Sequence, residues 1–213
     1  MAQKQYVVLI ADVIGSSGRR DLRAVLAKRL EAATRVHLRA KSIRLPYAVT
    51  AGDEFQTILA SPVNIPELIF DLRMRMRPLR LRIGIGFGRL ADRVQAPVNV
   101  MGGEAFQRAR QALDGLKAGS SKYDVLTAFH SGHEIFDSTA NLIYALHDTL
   151  LLKITSKQWG TIQVFREKRS LESTAKVLKL DSSTVSRNLK RSYFWQIEQT
   201  IAGMNRLIRA SKL

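Results

Sequence analysis

Residues 79 to 88 read LRLRIGIGFG. Apolar residues alternate strictly with Arg or Gly along this run. A period of two marks a β-strand, in which successive side chains point to opposite faces. The alternation places Gly84, Gly86 and Gly88 on one face. Something approaches the backbone closely there, or packs flat on it.

The other elements fall into place around this strand. Tyr6 to Asp12 (YVVLIAD) is a β-branched run ending in a carboxylate, which reads as a buried strand. Asp21 to Ala40 carries Leu22, Val25, Leu26, Leu30 and Ala33 at helical spacing, with a basic outer face. Ile43 to Thr50 and Phe55 to Ala60 read as two strands of a hairpin joined at AGDE. Pro62 to Arg77 is a second amphipathic helix, ended by Pro78. Gly103 to Lys117 reads as a helix, Tyr123 to Phe129 as a strand, and Asp137 to Lys153 as a helix leaving the first domain. The order is strand, helix, strand, strand, helix, strand, helix, strand. It begins as a split βαβ, ferredoxin-like core with an added helix and strand, so the expected class is α+β. The change of pattern near Lys153 divides the chain into residues 1–152 and 153–213.

Two acids stand out in the first part. Asp12 closes the first strand, and Asp53 sits in the hairpin turn with Glu54 beside it. In a split βαββ core the end of the first strand and the tip of the next hairpin lie side by side. Carboxylates meeting there form a hard, oxygen-rich site for Mg²⁺ or Mn²⁺. Backbone amides after the first strand can cradle a nucleoside triphosphate. The nucleotide-holding set is then Val13, Ile14, Gly15, Ser16, Ser17 and Gly52, with the two serines adding hydroxyls.

The second part is an all-α region. Ser156 to Arg166, Leu171 to Leu178 and Ser182 to Tyr193 are three helical segments, the last two joined by Lys179-Leu180-Asp181. Ala175 is small where two helices must touch. Leu178 and Leu180 bracket the turn as core plugs, and Asp181 or Ser182 caps the next helix. Val185 and Leu189, four apart, face inward. Ser183, Thr184, Arg187 and Asn188 form the base-facing set for double-stranded DNA, with Lys190 and Arg191 on phosphates. The alternative is a three-helix packing module with a basic exterior. After Tyr193 an apolar stripe (Trp195, Ile197, Ile201, Met204, Leu207, Ile208) packs on the domain or pairs two subunits.

Charge favours a polyanionic partner. The chain carries 34 Lys and Arg against 18 Asp and Glu, a net +16. The last 61 residues hold 13 basic and 4 acidic side chains, so the excess is densest there. At 46% hydrophobic the chain can bury one large core or two small ones. Without cysteine, disulfides and thiolate metal sites are excluded, which fits a cytoplasmic protein. No run of about 18 apolar residues suits a membrane, and the N-terminus lacks the features of a signal peptide. In HSGHE, Gly132 breaks the helix that a His130–His133 metal pair would need.

The string TAKVLKLDSSTVSRNLKR resembles the helix-turn-helix of bacterial regulators and of sigma-factor region four, with Lys179 where those usually place Gly. IADVIGSS, AGDEFQTILA, LRLRIGIGFG and MGGEAFQRARQAL, in that order, resemble class III nucleotidyl cyclases and their GGDEF and polymerase-palm relatives. The whole chain is most similar to the SatD family. The resemblance implies Asp12 and Asp53 as metal ligands and the loop from Val13 to Ser17 as phosphate cradle. Cyclases place an Asn and an Arg on the helix after the glycine, and Gln107 and Gln111 stand there instead. Losing that cation removes preorganised transition-state stabilisation. The expected function is a DNA-binding regulator with a cyclase-like domain that binds a nucleotide and a metal. The alternatives are an active nucleotidyl cyclase or nucleotidyltransferase using Asp12 and Asp53, and a degenerate scaffold for protein interaction.

Overall fold

Strand β1 (Tyr6–Val13) runs down the middle of a five-stranded sheet, and its apolar run is unbroken because both edges and both faces are covered. The structure, a computed structural model, describes residues 4–16, 18, 21–50, 52–118 and 125–213. The sheet order is β2 (Ala48–Val49), β3 (Glu54–Ile58), β1, β4 (Leu81–Gly88), β5 (Thr127–His130). The first three pairings are antiparallel and β4–β5 is parallel. This is the expected split βαββαβ order, extended by one crossover.

Strand parity sorts the core into two layers. Val7, Leu9, Ala11 and Val13 of β1 face α1 (Leu22–Arg39), α2 (Ile65–Met76) and α4 (Glu134–Leu152). Val8 and Ile10 face α3 (Glu104–Ala118) with Ile58 of β3. The glycines of β4 explain how closely α3 comes. A Cβ on Gly84 would lie 2.3 Å from the Ala109 carbonyl oxygen, and one on Gly86 would lie 2.2 Å from that of Ala105. Only a bare backbone admits the helix at that depth, which is the close approach the alternation predicts.

Two elements are shorter than expected. The strand expected over Ile43–Thr50 is reduced to Ala48–Val49, with an isolated bridge between Ile43 and Leu59. Pro46 lies between the two and has no amide to give to a ladder. The strand expected from Tyr123 begins at Thr127, with residues 121–124 outside those described.

Four further helices follow: α5 (Ser156–Lys168), α6 (Leu171–Leu178), α7 (Ser182–Arg191) and α8 (Phe194–Ala210). A capping box of Thr155 and Gln158 starts α5, Ser170 caps α6 and Asp181 caps α7. Trp159, Ile162, Phe165, Val185, Leu189 and Phe194 close a core between them. Ala175 is buried as expected, but Leu178 is half-buried and Leu180 is exposed, so neither plugs that core. The backbone amide of Leu180, donating to the Ala175 carbonyl, is what holds the turn.

The expected division between residues 152 and 153 falls at the end of α4, yet the two cores interlock across it. Phe70 of α2 lies in the helical core, its ring 5.5 Å from that of Trp159. Met204 and Ile208 of α8 lie in the sheet core. Asn205 donates to both oxygens of Glu67 and accepts from the Asn64 amide. The apolar stripe of α8 is thus spent within the chain, except for Trp195, which stays half-exposed against Phe165 and Phe194. Among the described residues no helix is long and apolar enough to cross a membrane.

Candidate functional site

Asp12, next to last in β1, lies on the layer that α3 covers and is 5% exposed. The register places Glu54 of β3 opposite it on one side and Arg82 of β4 on the other. Paired residues share a face in an antiparallel ladder, so these three side chains meet. Arg110 and Lys117 arrive from α3. They are seven residues apart, about two turns, and project from one stripe.

The resulting cluster satisfies most of its charge internally. Arg110 grips both oxygens of Glu54 through its two terminal nitrogens. Thr50 adds a hydroxyl to Glu54 at 2.9 Å. The Lys117 ammonium lies 3.3 Å from Asp12 Oδ2 and 3.5 Å from Glu54 Oε2, and Arg82 reaches Asp12 Oδ2 at 3.3 Å. Burial pushes the Glu54 carboxyl up, but bonds from Arg110 and Thr50 and the charges of Arg110 and Lys117 outweigh it and hold the group below its ordinary value. Asp12 Oδ1 is buried and has no hydrogen-bond partner among the described residues.

The expected residues distribute unevenly around this cluster. Asp53 lies in the turn before β3, half-buried, with no side-chain bond or ion pair among the described residues. The residue brought against Asp12 is its neighbour Glu54. Val13 is buried at the strand end, and the Ile14 amide donates to the Arg80 carbonyl at 2.8 Å. Gly15 and Gly52 turn through left-handed backbone at φ +69° and +59°, both exposed. Ser16 is half-buried, and Ser17 lies outside the described residues. Gln107 and Gln111 are exposed on α3. No group of three or more His, Cys, Asp or Glu side chains that could hold a metal occurs among the described residues.

The second candidate surface is α7. Val185 and Leu189, fully buried, seat it on the helices before and after. Asp181 caps it, accepting from the Thr184 amide at 2.7 Å and from the Ser183 and Thr184 hydroxyls. Those bonds hold the Asp181 carboxyl far below the usual carboxylate range. Ser183, Arg187, Lys190 and Arg191 are exposed, as expected. Thr184 and Asn188 are half-buried instead. The Thr184 hydroxyl is committed to the cap, and the Asn188 amide lies 3.4 Å from the Thr161 hydroxyl. Ser186 takes their place on the outer face. Lys179 adopts the left-handed conformation, φ 53°, after the last residue of α6, a place where helices commonly end on Gly.

Glu54, Arg82, Arg110 and Lys117 are the residues that a reading by motif misses. Parity along β3 and the seven-residue spacing on α3 are the signals that point to them.

The family model described as SatD family matches residues 6–199. No curated protein matches the chain. Solved structures that it resembles distantly include two with the following measures. One is the guanylate cyclase domain of RhGC from Catenaria anguillulae in complex with GTP, at 11% identity and a TM-score of 0.38, covering 52% of this chain and 72% of that one. The other is a regulator of polyketide synthase expression from Bifidobacterium adolescentis, at 16% identity and a TM-score of 0.28, covering 96% and 82%.

Proposed function

The chain belongs to the SatD family, and we propose that it is a DNA-binding regulatory protein whose sheet layer also takes a nucleotide with a divalent cation. The outward face of α7 carries the DNA reading. Ser183, Ser186, Arg187 and Lys190 form one exposed row, with Arg191 at its shoulder, on a capped helix pinned by Val185 and Leu189. A short helix presenting donors and no acid on that row suits the major groove, with α6 crossing the backbone. Arg187 and Ser183 then read base edges, while Lys190 and Arg191 hold phosphates. A second copy would supply a second half-site one DNA turn away. The α8 stripe is already used within the chain, so such a pair needs another face.

Selection of a bound sequence from a random DNA pool, followed by anisotropy titrations at several salt concentrations, tests this reading. Arg187→Ala should relax sequence preference. Lys190→Ala should weaken all DNA about equally and lower the salt slope by about one. A wild-type chain with no salt-dependent DNA binding ends the proposal.

For the sheet layer, the orphaned Asp12 Oδ1 supports a metal ligand there. The donor set fits a metal–nucleotide pair better than a bare ion. Mg²⁺ is usually held by one or two carboxylates together with ligand phosphates, and Arg82, Arg110 and Lys117 already surround Asp12 and Glu54 with positive charge. Asp12, with Asp53 or Glu54, would hold the cation, and the amides of Gly15 and Ser16 would meet the phosphates. The metal would supply neutralisation of phosphate charge. Gln107 and Gln111 leave no cation where cyclases place one, so we assign the site to binding rather than turnover.

A second reading has its own observation: Arg110 and Lys117 neutralise the carboxylates already, which suits a closed structural cluster. Thermal-shift titrations with nucleoside triphosphates, with and without Mg²⁺, on wild type and Asp12→Ala separate the two. A shift that needs both nucleotide and Mg²⁺ and is lost in Asp12→Ala supports the ligand site. No shift with any nucleotide leaves the closed cluster.

A further inference from the structure

A cleft of about 250 Å³ opens where the sheet layer meets the later helices. The end of α2 and the turn after it form one side, and the end of α4 with the start of α5 forms the other. Leu81, Leu126, Leu151 and Ile154 line an apolar wall. Arg73, Arg77, Arg80 and Trp159 supply the polar side.

Two buried donors on that polar side lack partners. Arg73 is 7% exposed; its terminal nitrogens donate to the Leu81 and Leu126 carbonyls and to the Thr127 hydroxyl. Its Nε has no partner among the described residues. Trp159 is 5% exposed, and its indole Nε1 has none among the described residues either. Buried polar groups are nearly always paired, so two unpaired donors on residues that line one cleft call for an acceptor close by.

The charge around them is lopsided. Asp148, fully buried 3.7 Å from Arg73, answers that one guanidinium and also accepts from the Leu126 amide. Arg77 stacks on the Trp159 ring at 5.0 Å, and among the described residues its one side-chain hydrogen bond is to the Ser156 hydroxyl at 3.4 Å. Burial alone shifts its pKa, downward, with no carboxylate opposing. Arg80 is exposed, forms no ion pair among the described residues, and stands close enough to Arg73 to oppose its charge. The polar side is therefore all donors. What complements it is a negatively charged head that only accepts, and the apolar part of the lining suits an apolar body. The volume lies below the roughly 300–1,000 Å³ of drug-sized sites, which limits the body to one ring or a short branched chain.

We propose that this cleft binds a small organic oxyanion, an aromatic or branched-aliphatic acid, through Arg77, Arg80 and the Trp159 indole. Its apolar body lies against Leu81, Leu126, Leu151 and Ile154. The ligand would touch α2, α4 and α5 together and so tie the sheet layer to the helices that carry α7. Its lining residues are not those of the Asp12 cluster or of α7, although the Arg80 carbonyl accepts from the Ile14 amide, and its occupancy does not depend on either reading above.

The test uses the full chain with Trp195→Phe, so that indole emission reports on Trp159 alone. Benzoate, isovalerate and phenyl phosphate are titrated, with benzyl alcohol as neutral analogue and inorganic phosphate as the bare head. The expected result is a saturable change in Trp159 emission with at least one organic anion and none with benzyl alcohol. Affinity should fall at least tenfold in Arg80→Gln, whose exposed side chain leaves folding intact, and in Arg77→Gln. Comparing benzoate with phenyl phosphate identifies the head as carboxylate or phosphate. The proposal is overturned if no organic anion gives a saturable change by about 10 mM. An equal response to benzyl alcohol, equal affinity for inorganic phosphate, or unchanged affinity in Arg80→Gln overturns it as well.

Discussion

The sheet cluster and the outer face of α7 are both basic, but they hold their charge in opposite ways. Around Asp12 and Glu54 the cations Arg82, Arg110 and Lys117 are bound to acids of the same chain. Among the described residues Lys190 and Arg191 of α7 have no acidic partner, and Arg187 donates to the Thr184 hydroxyl without forming an ion pair. The first arrangement stabilises the fold and must be rearranged before it serves a ligand. The second contributes little to the fold and is ready for a polyanion. The difference follows from the elements beneath. The cluster depends on α3 being pressed onto β4, whereas α7 is a short capped helix whose outer row makes hydrogen bonds within its own first turns and no ion pair among the described residues.

The largest effect is therefore expected where α3 meets the sheet. Gly86→Ala places a Cβ 2.2 Å from the Ala105 carbonyl oxygen and from the Ala109 amide nitrogen. Backbone cannot yield as a flexible side chain can, so the cost lies at or above the upper end of overpacking, about 3 kcal/mol. Urea unfolding should show it. The displaced helix should also loosen the Arg110–Glu54 pair. Wild-type stability in Gly86→Ala would mean that α3 does not press the cluster shut, and the contrast with α7 would fall.

Next comes the cluster itself. Arg110→Ala leaves Glu54 buried with Lys117 as its remaining cation. Removing one partner of a fully buried pair costs about 3–5 kcal/mol. The Arg110 side chain is 39% exposed, which discounts this to about 2 kcal/mol. The sign with pH follows from the lowered Glu54 pKa. The ionised group contributes stability above its ordinary value of 4.5, and that contribution is lost as pH falls through the lower folded value. The gap between wild type and Arg110→Ala should be full at neutral pH and close in acid. A gap unchanged at low pH would assign the loss to packing.

How much of this was legible without coordinates depends on whether local periodicity or tertiary register decided it. The strand β4 and its bare glycine face could be read because a period of two survives burial on both sides. Asp12 could be read as a strand end. Glu54 was overshadowed by Asp53, although parity from the first residue of β3 assigns Glu54 and not Asp53 to the layer of Asp12. The cations needed more: Arg110 and Lys117 share a stripe by spacing, but only the approach of α3 over Gly84 and Gly86 shows what that stripe meets. On α7 the helical period separated Val185 and Leu189 from the outer face. It could not show that Thr184 is drawn into the Asp181 cap or that Asn188 leans on Thr161. The interlocked cores were hidden for a similar reason. The stripe of Met204 and Ile208 has the same spacing whether it packs on its own helices or on a distant sheet.

On α7 the prediction is the reverse of that for the cluster. Lys190→Ala should leave unfolding free energy within about 0.5 kcal/mol of wild type, as for surface substitutions away from caps and cores, while DNA affinity and its salt slope fall. Loss of stability alongside affinity would place Lys190 among the groups that hold the fold. The two regions would then not differ as argued.

The smallest effect sharpens what positions α7. Lys179 turns the chain from α6 into α7 in the left-handed region, at φ 53° and ψ 46°. A side chain there costs about 1–2 kcal/mol, and glycine would relieve it. Glycine also loses more freedom on folding, about 0.5–1 kcal/mol, so the net gain for Lys179→Gly is about 0.5 kcal/mol. The turn keeps its other restraints, the Leu180 amide on the Ala175 carbonyl and the Asp181 cap. The angle between α6 and α7 should therefore hold. Thermal unfolding should show a small rise in Tm, and DNA affinity should drop by no more than the loss of one exposed cation. A larger drop would mean that Lys179 itself touches the phosphates, and the unpaired basic surface would extend past the N-terminus of α7 into the turn.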